Sequence, residues 1–206
     1  MTRIAIVYYS ATGKNYEIAR AIEAGAQAAG AETRLGKVRE LSDPAVIDAN
    51  PIWRAHLDAT AQVPEASLDD LDWADGFAFG SPTRFGLPAA SLKHFMDQAG
   101  GLWSQGKLAD KPAAGFASSG YDHGGQESTL LALYNVFYAW GSPIVPMGYT
   151  DPAVKAAGGN PYGVSFTDPR KEALPEVKLA AARYLGGRLT RYAAVLSKNR
   201  AALKGA

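Results

Sequence analysis

The sequence contains no cysteine. This absence excludes disulfides, zinc–thiolate sites, a cysteine nucleophile and a redox dithiol. Histidine is also scarce: the three residues stand at positions 56, 94 and 123, a scattered spacing that does not suit a metal site. No stretch approaches the roughly 18 apolar residues that a membrane-spanning helix needs. We therefore expect neither a metal site nor a membrane span.

The chain also lacks an excess of charge of either sign. Its formal net charge is +1, which gives no reason to expect a nucleic-acid partner. The apolar run near the N-terminus is too short for a signal peptide, so we expect a cytoplasmic protein. A length of 206 residues fits a single domain over residues 1–206.

Apolar runs and helical periods alternate along the chain. Residues Ile18, Ile22, Ala26 and Ala29, for example, recur at the spacing of one helix face. Five such alternations predict an α/β fold with a parallel sheet covered by helices on both faces. Two segments lack a clear period: an excursion at the sheet rim at about 42–67, and an irregular loop at about 148–172. The predicted strands are Ile4–Tyr9, Thr33–Val38, Gly76–Gly80, Pro112–Ser118 and Pro143–Met147.

A turn follows the first predicted strand and leads into the first helix. It spans Tyr9–Asn15 and supplies hydroxyls, a glycine and a lysine next to a helix N-terminus, where the helix dipole favours an anion. Neither the dinucleotide fingerprint nor the P-loop motif is present. The turn is therefore either a phosphate cradle held by hydroxyls and backbone or a plain helix cap.

Two more unusual loops follow the third and fourth predicted strands. They span Ser81–Gly86 and Ser119–Gly125, and they add glycines, aromatic rings and a cation. Because the carboxyl ends of parallel strands meet at one edge of a sheet, the three loops should converge on one crevice. Their combined chemistry predicts a phosphorylated, planar ligand.

Four motifs make the chain resemble the flavodoxin-like NAD(P)H:quinone oxidoreductases of the WrbA type. They are Y-Y-S-x-x-G near the start, G-S-P-T-R-F-G at 80–86, G-G-L-W at 100–103 and S-S-G-x-x-x-G-G-Q-E at 118–127. The resemblance covers essentially the whole chain. It implies a doubly wound five-stranded parallel sheet of order 2-1-3-4-5, FMN as cofactor, NADH or NADPH as co-substrate, a quinone as acceptor and a homotetramer.

The resemblance also assigns site residues, none of them catalytic because the flavin carries the chemistry. The FMN phosphate would contact Ser10, Thr12, Gly13, Lys14 and Asn15. The ring would be bordered by Pro82, Thr83, Arg84, Phe85 and Gly86. Its other rim and the ribityl chain would contact Ser118, Ser119, Gly120, Tyr121, Asp122, His123 and Gly124. Substrate contacts would come from Thr12, Trp103 and Trp140.

Three positions depart from the family pattern. Trp140 stands where the family commonly has a histidine, which bears on a hydrogen bond at the substrate side. Thr12 stands where an aromatic residue is common, which bears on nicotinamide stacking. Tyr121, Asp122 and His123 add bulk where small residues are usual, which would narrow the pocket.

Several single residues have a second interpretation. Lys14 is either a phosphate contact or a solvated first-turn residue, and Arg84 either a ligand contact or half of a surface salt bridge. Trp103 is a substrate-stacking residue, an oligomer contact or both. His123 and Tyr121 are polar loop residues or proton donors.

The sequence thus predicts an FMN-dependent NAD(P)H:quinone oxidoreductase that transfers electrons in pairs. The alternative is a flavodoxin-like electron carrier or regulatory flavin-binding protein without turnover. A phosphatase or receiver domain is excluded by residue type, since there is no cysteine and no acidic cluster after the first strand.

Overall fold

The structure is a computed structural model that describes residues 1–167 and 173–203. Its strands are β1 (Thr2–Tyr8), β2 (Ala31–Lys37), β3 (Gly76–Arg84), β4 (Leu87–Pro88), β5 (Ala113–Ser119) and β6 (Val164–Thr167). Its helices are α1 (Lys14–Ala28), α2 (Pro44–Asp48), α3 (Pro51–Ala59), α4 (Leu68–Trp73), α5 (Ala90–Asp97), α6 (Gly100–Ser104), α7 (Gln126–Trp140), α8 (Pro152–Ala156), α9 (Glu176–Lys198) and α10 (Arg200–Leu203).

Five of the strands form one parallel sheet in the order β2-β1-β3-β5-β6. The two-residue β4 pairs antiparallel with the end of β3 and lies off this path. Counted without β4, the order is 2-1-3-4-5, so the predicted fold class is confirmed. β1 lies between β2 and β3. Its residues from Ile4 to Tyr8 are therefore buried, as expected for a strand covered on both faces.

Successive residues of β1 face two separate apolar layers. Ile4 and Ile6 pack in the layer that contains α1 and α9. Ala5 and Val7 pack in the layer that contains α5 and α7. This alternation follows from the two-residue period of a strand. It leaves the ends of the sheet as the places where polar loops can meet.

The fifth strand differs from the prediction. The segment predicted as that strand, Pro143–Met147, makes only one isolated parallel bridge, between Ala113 and Ile144. The sheet's edge strand is β6, which pairs with the second half of β5. Prolines at 143 and 146 lack the N–H that a regular ladder needs, and Val145 alone donates to the Ala113 carbonyl, at 2.8 Å.

The segment predicted as an irregular loop at about 148–172 therefore follows the mispredicted strand and includes the actual edge strand of the sheet. It contains the short helix α8 as well as β6 itself. Residues 168–172 lie outside the described part of the chain.

The excursion at about 42–67, which shows no clear period in the sequence, carries two helices, α2 and α3. Asp43 and Asn50 cap α2 and α3, accepting hydrogen bonds from Ala45 N at 2.8 Å and Trp53 N at 3.3 Å. Proline follows each cap at the first helical position. No residue of α3 is fully buried, so no apolar stripe marked it in the sequence.

Candidate functional site

All three predicted loops meet at the carboxyl-terminal edge of the sheet and enclose a cleft of about 190 Å³. The cleft lies between the ends of β1, β3 and β5, as expected for an open parallel sheet. Its walls are formed by Ser10, Ala11, Thr12, Lys14, Asn15, Pro82, Thr83, Arg84, Ser118, Ser119 and Gly120.

The first loop presents the N-terminus of α1 to the cleft. Gly13 is the N-cap residue and has a positive φ of 98°, a conformation that glycine adopts without strain. Its N–H donates to Ser10 Oγ at 3.1 Å, and within the described residues the N-cap position makes no side-chain capping hydrogen bond. The positive end of the helix dipole faces the cleft, a setting that favours an anion.

Asn15 joins the first loop to the third. Its side chain is 1% exposed and donates from Nδ2 to Ser118 Oγ at 3.1 Å. Its Oδ1 is buried and has no hydrogen-bond partner among the described residues. Buried polar atoms are normally paired, so this acceptor fits a ligand that brings a hydroxyl or N–H group into the cleft.

The second loop holds an exposed phenylalanine in a strained conformation. Phe85 has a positive φ of 55°, which is uncommon for a residue other than glycine, and its ring is fully exposed. Arg84 donates to the Thr83 carbonyl at 3.1 Å and forms no salt bridge within the described residues. The loop therefore offers a planar apolar surface and a cation at the mouth of the cleft.

The third loop is held by its own backbone. The Ser119 hydroxyl hydrogen-bonds to the Tyr121 carbonyl, which also accepts from Gly124 N at 3.0 Å. Gly124 is partly exposed, and the residues predicted to narrow the pocket, Tyr121, Asp122 and His123, are exposed at the outer side of the loop. None of these four residues lines the cleft.

Gln126, the first residue of α7, is a contact that the sequence analysis missed. Its Nε2 donates to Thr167 Oγ1 at 2.8 Å and to the Tyr121 carbonyl at 3.2 Å. The side chain therefore ties the third loop to the edge strand β6. The sequence signal was its place in the motif at 118–127, directly after two glycines.

A second cleft, of about 120 Å³, lies behind the first loop and shares Ser10 with it. His56 of α3 lies beside Gly13 there, with Nδ1 at 3.5 Å from the position that a Cβ on this glycine would occupy. Burial and the nearby charge of Lys37 lower the pKa of His56, which favours the neutral ring. The helix that the sequence analysis missed thus packs against the loop at the N-terminus of α1.

Trp103 and Trp140 lie at the opposite, amino-terminal edge of the sheet. The Trp103 indole Nε1 donates to the Ala139 carbonyl at 2.8 Å. Asp110 N donates to the Gly141 carbonyl at 3.0 Å, which places the end of α7 beside the residues that lead into β5. Since α7 has 15 residues, it carries the chain about 22 Å from the cleft edge. Neither tryptophan contributes to this chain's own cleft.

Trp140 is part of the aromatic core. Its ring centroid lies 5.7 Å from that of Phe79 and 6.0 Å from that of Phe137, and the side chain is buried. Packing within this chain therefore accounts for a tryptophan at this position.

The described ranges contain neither a metal-ligand cluster nor a membrane-spanning helix. No group of three or more His, Asp or Glu residues there is placed to hold a metal ion. Nor does any helix of the described ranges have the length and apolarity to cross a membrane. What the cleft does offer is a site for an anion next to a planar ring.

Comparison with known proteins agrees with this geometry. Residues 2–151 match the profile of a family described as NADPH-dependent FMN reductase. A protein of Deinococcus radiodurans named "NAD(P)H dehydrogenase (quinone)" is 47% identical over 165 residues, which cover 80% of this chain and 82% of that protein. A protein of the same name from Sinorhizobium fredii is 36% identical over 203 residues, covering 96% and 100%.

Among solved structures, a WrbA-like flavodoxin from Agrobacterium tumefaciens superimposes with a TM-score of 0.65. It is 24% identical in sequence, and the match covers 96% of this chain and 99% of that one. This similarity shows that the two chains share a flavodoxin-like fold.

Proposed function

The chain belongs to the NADPH-dependent FMN reductase family, and from this membership we propose that it is an FMN-dependent NAD(P)H:quinone oxidoreductase. The observation that carries the proposal is the cleft itself, in which the N-terminus of α1 meets the polar ends of β3 and β5 at one sheet edge, with the exposed Phe85 following the cleft residue Arg84. The relatives' shared name supplies the two substrates, a nicotinamide and a quinone.

The residues present fit FMN. The N-terminus of α1, with Ser10, Thr12, Gly13, Lys14 and Asn15, would hold the phosphate. The unpartnered Asn15 Oδ1 is an acceptor of the kind that a ribityl hydroxyl needs. The second loop, Pro82–Gly86, would border the ring, and the third loop, Ser118–Gly124, its other rim.

Bound FMN supplies hydride acceptance from the nicotinamide and two-electron donation to the quinone. The chain's own residues would bind the cofactor and orient it. The positive end of α1 offsets the charge of the phosphate. The exposed Phe85 ring, next to the cleft residue Arg84, would cover apolar surface of the bound flavin. No side chain has to act as a nucleophile.

The proposal predicts FMN binding and turnover. After FMN is added to the apoprotein, gel filtration should leave one flavin per chain, with a protein-perturbed absorbance spectrum. NADH or NADPH should then bleach the flavin, and benzoquinone should restore it. Because both substrates need the same open face, we expect ping-pong kinetics.

Two outcomes would contradict this proposal in different ways. A chain that does not retain FMN would refute the cofactor assignment. A chain that retains FMN, stabilises the one-electron semiquinone during titration and turns over no quinone would instead be an electron carrier, the alternative class.

We further propose that the protein assembles as a homotetramer. Apolar side chains remain exposed along α7, including Leu131 in its first half and Tyr138 next to the Trp103 contact, and such surface favours association. Trp103 could reach a cleft only on another copy of the chain.

Light scattering should therefore give a mass about four times the 21.8 kDa of one chain. Leu131→Glu should lower that mass. Val195→Glu changes another exposed apolar position, on α9, and as the control it should leave the mass unchanged. A monomeric wild-type protein would rule out the assembly.

A further inference from the structure

A chain of hydrogen bonds joins two of the cleft loops through a residue outside both. Thr129 lies on α7, is 0% exposed, and donates from its hydroxyl to Thr83 Oγ1 at 2.9 Å. Thr83 in turn donates to the Gly124 carbonyl at 3.1 Å and accepts from Gly86 N at 3.1 Å. One hydroxyl thus links β3, the second loop and the third loop.

The Thr83 hydroxyl has its full set of partners in this arrangement. It has one hydrogen, which points to the third loop, and two acceptor sites, which receive the Gly86 N–H and the Thr129 O–H. Thr129 thereby selects the direction in which Thr83 donates. Without the Thr129 hydroxyl, Thr83 would lose one of its two donors and would be held less firmly in this orientation.

The geometry of Thr129 is not the usual one for a threonine inside a helix. Such a hydroxyl commonly bonds to the carbonyl four residues earlier, as Thr190 does with Gly186 in α9 at 2.9 Å. Thr129 instead donates out of its helix to β3. Its hydroxyl therefore connects α7 to the second loop through Thr83.

The link also spans the strained residue of the second loop. The bond from Gly86 N to Thr83 Oγ1 closes a short ring of chain around Phe85, whose φ is positive. Gly86 packs directly on the third loop, since a Cβ on Gly125 would lie 2.9 Å from Gly86 Cα. Backbone strain of this kind persists only where the surroundings hold it.

We propose that Thr129 is a positioning residue for the flavin ring. It acts through Thr83 to hold the second and third loops at a fixed separation and to keep Phe85 in place at the mouth of the cleft. This inference rests on the proposed function for its cofactor, but the loop link itself belongs to the protein without any ligand.

The test replaces the hydroxyl and keeps the shape. Thr129→Val should raise the Kd for FMN about tenfold, the effect of one buried hydrogen bond left unmade, and should shift the flavin reduction potential. Thr129→Ser keeps the hydroxyl and should restore both values. Thr190→Val removes a buried helical hydroxyl remote from the cleft, so it should leave both unchanged.

A measurement on the apoprotein separates this inference from the proposed function. Amide hydrogen exchange at Gly86 reports the bond to Thr83 directly, and it should be faster in Thr129→Val than in wild type or Thr190→Val. If wild type binds no FMN but the exchange difference appears, the function fails and the link stands. If Gly86 exchange and FMN affinity in Thr129→Val both match those of Thr190→Val, the positioning role is refuted.

Discussion

Replacing Gly25 by alanine is expected to destabilise the fold by about 3 kcal/mol, although alanine is the better helix former. Gly25 lies inside α1, where propensity alone would favour alanine by about 1 kcal/mol. However, a Cβ at this position would lie 1.9 Å from the Arg183 carbonyl oxygen of α9, and a backbone atom of a packed helix cannot move aside cheaply. The overpacking therefore outweighs the propensity. Urea denaturation measures the difference.

The clash has a counterpart on the facing helix. A Cβ on Gly186 of α9 would lie 2.0 Å from the Ile22 carbonyl oxygen of α1, so the two helices approach backbone to backbone. Gly101→Ala is the matched control, because Gly101 is also helical but has nothing within 4 Å of its Cβ position. That variant should be as stable as wild type or slightly more so. Equal stability of both variants would contradict the close contact of α1 with α9.

Much of the fold could be predicted because burial on both faces leaves a strong signal. The central runs of β1, β3 and β5, at 4–8, 76–80 and 113–117, are apolar throughout, and the helices between them carry a regular apolar period. The fifth strand was misplaced because Pro143–Met147 is as apolar as a strand, but its Val145 and Met147 are buried by packing and its prolines prevent a ladder. The four residues of β6 carry an alternation too short to stand out.

The site was predictable to the extent that topology determines it. Loops that follow parallel strands must meet at one edge, so the convergence of Ser10, Thr83 and Ser118 needed no tertiary information. The direction of a hydroxyl does need it. Nothing in the sequence distinguishes Thr129, which donates to another element, from Thr190, which bonds within its own helix.

The placement of the tryptophans shows the same limit. The family resemblance put Trp103 beside the flavin, yet in this chain it hydrogen-bonds at the far end of α7. A motif specifies a residue type at a position, but not which copy of the chain that residue serves. This is why the oligomeric state is the measurement that decides the role of Trp103.

Converting Asn15 to aspartate is expected to weaken FMN binding by about a thousandfold while leaving the apoprotein folded. The change is nearly isosteric, the Ser118 hydroxyl that accepts from Asn15 can rotate to donate to the new carboxylate, and a carboxylate in the first turn of α1 is favourable to the helix dipole. The same carboxylate would face the FMN phosphate inside the cleft, where two unit charges about 4 Å apart repel by about 4 kcal/mol at an effective dielectric constant of 20. The carboxylate is thus favourable to the folded apoprotein but unfavourable to FMN binding, and these opposite effects distinguish electrostatic repulsion from misfolding. Quenching of FMN fluorescence measures the affinity, and thermal unfolding measures the fold.

Two controls make the charge the only variable. Asn50→Asp introduces the same change at the N-cap of α3, outside the cleft, where aspartate is an equally good cap, so FMN affinity should not change. Riboflavin lacks the phosphate, so Asn15→Asp should affect its binding far less than that of FMN. The loss should also shrink as the pH falls from 8 to 5, because the phosphate, whose second pKa is about 6, takes up a proton and carries less charge. If FMN and riboflavin affinities fell equally, Asn15 would act through shape alone, and the phosphate would have to bind somewhere other than the N-terminus of α1.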